Sequence, residues 1–127
     1  MKLRIRNNSI RVRLTRSEVA RLATGERVEQ ATGFSAATRL VSSVELSSQI
    51  AVPSASFDGT RVSVLLPLAQ VTEWANSAQV SIQAQQHIAA DSVLQILVEK
   101  DFECMHSRAE GNTDTFPNPS LRETTQR

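Results

Sequence analysis

The sequence predicts a mainly β protein, a small antiparallel β-barrel, closed or nearly closed, made of two ββαββ repeats with pseudo-twofold symmetry. Three observations carry this expectation. Apolar residues alternate with period two in several short stretches, turn signals separate those stretches, and the second half of the chain repeats the apolar pattern of the first. With Leu3 to Gln30 set above Ala55 to Ile82, a gapless shift of 52 places Ile5 on Phe57, Ile10 on Val62, Val12 on Val64 and Leu14 on Leu66. The same shift places Val19 on Val71, Leu22 on Trp74 and Val28 on Val80, and farther along Val44 on Ile96 and Leu46 on Val98. Self-similarity of this kind marks a duplicated unit. A sheet with this many antiparallel neighbours curls and closes to hide its edges.

The first element is a hairpin: "KLRIR" and "SIRVRL" alternate on either side of Asn7-Asn8, residues that tolerate the positive φ of a tight turn. A short helix over 16–24 follows. Thr15 and Glu18 have capping-box spacing, Leu14 and Val19 sit where a hydrophobic staple would, and Gly25 can end the helix in a left-handed conformation. Strands over 26–31 and 38–47 complete the first half. In the second half, "SASF" and "TRVSVLL" flank Asp58-Gly59, Pro67 opens a helix whose apolar face is Val71 and Trp74, and Asn76 and Ser77 end it. Strands over 78–84 and 92–104 close the pattern.

At 127 residues the chain has room for one core, so the organisation is a single domain over 1–104, with repeats 1–52 and 53–104, and a polar tail over 105–127. Hydrophobic content of 40% with only 4% aromatic and no Tyr requires an aliphatic core. The single Cys forms no internal disulfide, which makes the cytoplasm the default location. No targeting or membrane-spanning segment is visible. The tail carries Pro117 and Pro119, which bar a helix or central strand near them, and Phe116 is its apolar anchor, expected either to dock on the barrel or to end a flexible segment.

The net charge of +1 hides an asymmetry. Residues 1–27 hold eight Lys or Arg against two Glu, so that stretch is strongly basic and the remainder acidic. In the first hairpin Leu3, Ile5, Ile10, Val12 and Leu14 share the apolar face, and Lys2, Arg4, Arg6, Arg11 and Arg13 the other. In "VLQILVEKDFEC" the residues Leu94, Ile96, Val98, Phe102 and Cys104 claim one side, with Lys100 among them, and Glu99, Asp101 and Glu103 the other. If the barrel closes with the first strand beside the last, Lys2, Arg4 and Arg6 face Glu99, Asp101 and Glu103 as cross-strand pairs. Arg4, Arg6, Arg11 and Arg13 are therefore the candidate anion-binding residues. Cys104 and His106 are the candidate metal ligands, although two are fewer than the four a structural zinc site recruits. No phosphate loop or dinucleotide fingerprint is present, and no cofactor is expected.

Two resemblances bear on function. "LRIRNNSIRVRLTRSEV", "LQILVEKDFECMH" and "DTFPNP", in that order, resemble a family of short uncharacterised bacterial proteins over nearly the whole chain. That resemblance implies a bacterial cytoplasmic protein with no assigned activity, cofactor or catalytic residue. The architecture is also similar to that of the triphosphate tunnel metalloenzymes, in which charged faces line the barrel. That family carries alternating glutamates on its first strand, where this chain reads "KLRIR" without a carboxylate. The resulting expectation is a non-enzymatic binding or assembly module, with a metal-dependent polyphosphate or nucleotide phosphohydrolase as the alternative. A second copy of the chain is a candidate partner, a membrane is not, and the lack of aromatic stacking residues disfavours nucleic acid.

Overall fold

A computed structural model describes residues 1–102 and residue 116. The element order is β1 (Lys2–Arg6), β2 (Ser9–Leu14), α1 (Arg16–Ala23), β3 (Val28–Gly33), β4 (Arg39–Ser47), β5 (Ser54–Phe57), β6 (Arg61–Pro67), α2 (Leu68–Ala75), β7 (Ser81–Ala89) and β8 (Ser92–Lys100). Strand, strand, helix, strand, strand thus occurs twice, with both helices at the expected places.

Local chemistry explains the starts and stops. Asn7 has φ of 50° and Gly59 of 102°, so each turn after β1 and β5 holds a residue able to take the left-handed conformation. The second turn is fastened by Asp58, whose carboxylate accepts from the backbone N–H of Thr60 and Arg61. Helix α1 has the full capping box: the Thr15 hydroxyl accepts from Glu18 N–H, and the Glu18 carboxylate accepts from Thr15 N–H. The other Glu18 oxygen pairs with the Met1 amine at 2.6 Å. Gly25, at φ 101°, follows the end of α1. Pro67 is itself the cap of α2, one position earlier than expected, and α2 has no side-chain cap.

The strands form two four-stranded sheets, ordered β1-β2-β8-β7 and β3-β4-β6-β5. This corrects the expected barrel: no ladder joins the two sheets among the described residues, and neither sheet is purely antiparallel. In each, two antiparallel hairpins meet through a parallel central pair, β2 with β8 and β4 with β6. The first strand therefore does not lie beside the last, because β2 takes that place. On one side the gap between sheets is nevertheless bridged by a side chain. Gln86 of β7 accepts from Ala55 N–H of β5 at 2.7 Å and donates to Ala55 C=O at 2.8 Å, so its amide imitates a peptide group of a neighbouring strand.

The inner faces make one core of Ile10, Val12, Leu14, Val28, Val44, Val62, Val64, Leu66, Ile82, Ile96 and Val98, joined by Val19 and Leu22 of α1 and Val71 and Trp74 of α2. Leu22 and Trp74 are fully buried, as the matching of the helices implied. The Trp74 indole N–H donates to Val80 C=O, and the Lys100 amine lies 5.6 Å from the ring centre while donating to Ser77 C=O. Lys100 thus covers the tryptophan from the core side of β8 with its charge directed outward.

The gapless alignment of the halves holds only through the helices. Leu3 stands opposite Val12 and Ala55 opposite Val64, an offset of 52. Beyond the helices, Val28, Val44 and Val64 form one row while Ile82, Val98 and Val12 form its counterpart, so Val28 corresponds to Ile82 and Val44 to Val98, an offset of 54. The link after α2 absorbs the difference, which leaves Val80 in that link half exposed instead of in the core. Phe102 is a second correction: β8 ends at Lys100, the alternation ends with it, and Phe102 is 60% exposed. Phe116 is 96% exposed and so is not docked.

Candidate anion-binding face

Because successive side chains in a strand point to opposite faces, burying Ile10, Val12 and Leu14 forces Arg11 and Arg13 outward. The register then arranges the outer face of the β1-β2-β8-β7 sheet in rows. Lys2, Arg13, Glu99 and Ser81 form one; Arg4, Arg11, Leu97 and Gln83 the next; Arg6, Ser9, Gln95 and Gln85 the third. The arginine faces are outside and apolar core residues face one another between the sheets, so the described residues form no charged tunnel. That removes the geometric basis of the tunnel-type phosphohydrolase.

Glu99 organises this face. It is only 9% exposed, and its Oε1 accepts from both Arg11 Nε and Arg13 Nε at 2.8 Å. Burial pushes the Glu99 pKa up, but the hydrogen bonds from Arg13 and Arg11 and their charges outweigh burial and hold it below the ordinary glutamate value. Lys2 pairs with Asp101 at 3.3 Å. The expected pairing of the first strand with the acidic end of β8 is therefore corrected in its partners: Glu99 belongs to the β2 arginines, Lys2 takes Asp101, and Glu103 lies outside the described residues.

The guanidinium groups of Arg4 and Arg6 have no carboxylate or hydrogen-bond partner among the described residues. Arg4 stands directly opposite Arg11 in the β1–β2 ladder. Among the described residues this face carries five cations, Lys2, Arg4, Arg6, Arg11 and Arg13, against two carboxylates, Glu99 and Asp101. Over it lie two shallow hollows. One, of about 340 Å³, is lined by Arg4, Arg6, Arg11, Gln83 and Gln95; the other, of about 220 Å³, by Lys2, Arg4, Arg11 and Arg13. The outer face of the other sheet differs. Its central row is Ser56, Ser63, Ser43 and Glu29, and Arg27 and Arg61 are matched to Glu29 and Glu45.

Guanidinium groups on a rigid sheet, with amides beside them, suit recognition of phosphate or carboxylate oxygens. The Ser9 hydroxyl is already committed to Arg6 C=O at 2.7 Å. The arrangement can hold and orient an anion. All four arginines singled out from the sequence meet on this one face. The sequence reading missed Glu99 as the group that holds two of them, and missed Gln83 and Gln95, whose place depends on the β2–β8 register. Cys104 and His106, the candidate metal ligands, lie outside the described residues. No three His, Cys, Asp or Glu side chains gather at metal-binding distance among the described residues. No helix among them is long and apolar enough to cross a membrane.

The chain matches the model of a family of unknown function, DUF7009, over residues 1–120. No curated protein and no solved structure matches it.

Proposed function

Since the chain belongs to this family of unknown function, its activity must be read from its surface, and we propose that it is a non-enzymatic binding module that recognises an anionic group through Arg4, Arg6, Arg11 and Arg13. The observation that carries the reading is the placement of Arg4 directly across from Arg11. Like charges directly opposite on a sheet destabilise it by a few tenths to about 1 kcal/mol, and an uncharged residue at position 4 would remove that cost. Glu99 offsets part of the repulsion for Arg11 and Arg13 and leaves Arg4 and Arg6 available. That cost in stability supports a binding role, since functional surfaces are commonly not the most stable ones.

The test uses tripolyphosphate, a compact polyanion. It is expected to raise the melting temperature and to bind by calorimetry, with affinity falling steeply as salt increases. The double variant Arg4→Gln/Arg6→Gln is expected to lose that binding while melting no lower than the wild type. The purified protein is expected to release no phosphate from tripolyphosphate or nucleoside triphosphates with added magnesium or manganese. Absence of binding, or binding that survives the double substitution, would refute the proposal.

A further inference from the structure

The parallel central pairs have a geometric consequence. Ser9 stands beside Gln95 and Val41 beside Arg61, so within each sheet the paired strands start at the same end. The helices leave β2 and β6 from the other end. All four hairpin turns, at 7–8, 34–38, 58–60 and 90–91, therefore lie opposite the helices. Leu22 and Trp74 fill the helical end. At the turn end no helix among the described residues covers the core, and a cavity of about 470 Å³ opens there between the two sheets.

Its walls are apolar. Ile10 and Val62, the outermost core residues, line it together with Leu40 and Leu94, and Ile5, Phe57 and Ile88 stand at 57–64% exposure around it. Large aliphatic and aromatic side chains gathered on one rim mark a place where apolar matter is bound. Of the three amides in the lining, Gln86 is committed to Ala55 and Asn8 to Val93 C=O, and Asn7 sits in the β1–β2 turn at the rim. The volume falls within the roughly 300–1,000 Å³ of small-molecule sites. What enters the cavity is thus apolar and of small-molecule size.

The basic hollow supplies the other half of the ligand. Ser9 and Ile10 line both the cavity and the hollow that contains Arg4, Arg6 and Arg11. Only the β1–β2 turn separates an apolar cavity from the guanidinium groups of Arg4 and Arg6. We propose that the turn end binds a single-chain anionic amphiphile, with its alkyl chain between Ile5, Phe57 and Ile88 and its phosphate or carboxylate head on Arg6 and Arg4. This rests on the anion-binding reading of the sheet face and names the ligand class for it.

The experiment titrates the full-length protein by calorimetry with hexyl, octyl and decyl phosphate below their micellar concentrations, and with tripolyphosphate and decanol for comparison. Each added methylene is expected to tighten alkyl phosphate binding about three- to fourfold until the cavity is filled. Phe57→Gln/Ile88→Gln, both at exposed positions, is expected to abolish the dependence on chain length while leaving tripolyphosphate binding intact. Arg4→Gln/Arg6→Gln is expected to weaken decyl phosphate at least tenfold and to leave decanol unchanged. Chain-length-independent binding with tripolyphosphate still bound would overturn the amphiphile site and leave the anion-binding face standing. Loss of tripolyphosphate binding alone would overturn only that face as a general anion site. Binding to anionic vesicles without binding to the monomeric amphiphiles would also overturn the proposal, in favour of a membrane surface.

Discussion

Replacing Trp74 with Ala probes the closure of the core at the helical end. Trp74 is completely buried, and it is the only tryptophan in the chain. Truncation of such a residue costs about 3–5 kcal/mol, since transfer energy is lost and a void remains. That figure includes two polar contacts of the ring. The indole hydrogen bond contributes about 0.5–1.5 kcal/mol, but Val80 C=O also accepts from Lys100 N–H, so no stranded acceptor adds to the loss. The Lys100 contact with the ring contributes about 0.5–1 kcal/mol, and the amine retains Ser77 C=O. Trp74→Phe keeps most of the volume and should cost about 1–2 kcal/mol. At about 4 °C per kcal/mol for a domain of this size, the alanine variant should melt about 12–20 °C below the wild type, and the phenylalanine variant about 4–8 °C below. Far-ultraviolet circular dichroism follows both melts. An alanine variant within about 4 °C of the wild type would show that α2 does not close the core. Equal losses in both variants would show that the hydrogen bond, and not the volume, is what matters.

Glu99→Gln should destabilise by about 1–3 kcal/mol, because Arg11 and Arg13 lose a shared charged acceptor and face Arg4 unscreened; urea titration reads this, and an unchanged midpoint would contradict it. The pH dependence follows from the same carboxylate. Its folded pKa lies below the unfolded one, so its stabilisation is present above the ordinary glutamate value of about 4.3 and is lost as pH falls through that value and then through the lower folded one. Acid titration should therefore destabilise the wild type more than Glu99→Gln, so that the two curves converge. Gln86→Ala removes both hydrogen bonds to Ala55 and should cost about 1–3 kcal/mol in total, with faster amide exchange at Ala55; protection at Ala55 equal to the wild type would exclude the bridging role.

The elements were legible in the sequence because their causes are local. The Asn7 and Gly59 turns, the Thr15 and Glu18 box, and the alternation of Ile10, Val12 and Leu14 each act within a few residues, and each does in the structure what its chemistry requires. The partnership of β2 with β8 spans most of the chain, and nothing in either strand specifies a parallel neighbour, so the pattern suggested antiparallel closure instead. The same gap hid part of the candidate site. Arginine spacing alone put Arg4, Arg6, Arg11 and Arg13 on one face, whereas the role of Glu99 follows from standing beside Arg13, which is a property of register. Gln86 reads in sequence as one of several polar strand residues, and only the approach of β5 gives its amide a use. Phe102 was misplaced because a period-two pattern carries no information about where a strand stops, and Val80 because a gapless shift of 52 hides the two residues taken up by the link after α2.

The order in which the chain is synthesised acts differently on the two sheets. The β3-β4-β6-β5 sheet comes from one continuous segment, residues 28–67, and can assemble once that segment has emerged. The β1-β2-β8-β7 sheet joins the first 14 residues to strands that begin at Ser81. With Ser9 pairing to Gln95, β2 waits for its partner through roughly 4–17 s of translation at about 5–20 residues per second. During that interval Arg11 and Arg13 have no Glu99, and the basic hairpin is held against no opposing charge. Among the described residues the cationic face is thus the last surface to be assembled. A chain cut short before Glu99 retains its arginines and lacks the strand that orders them.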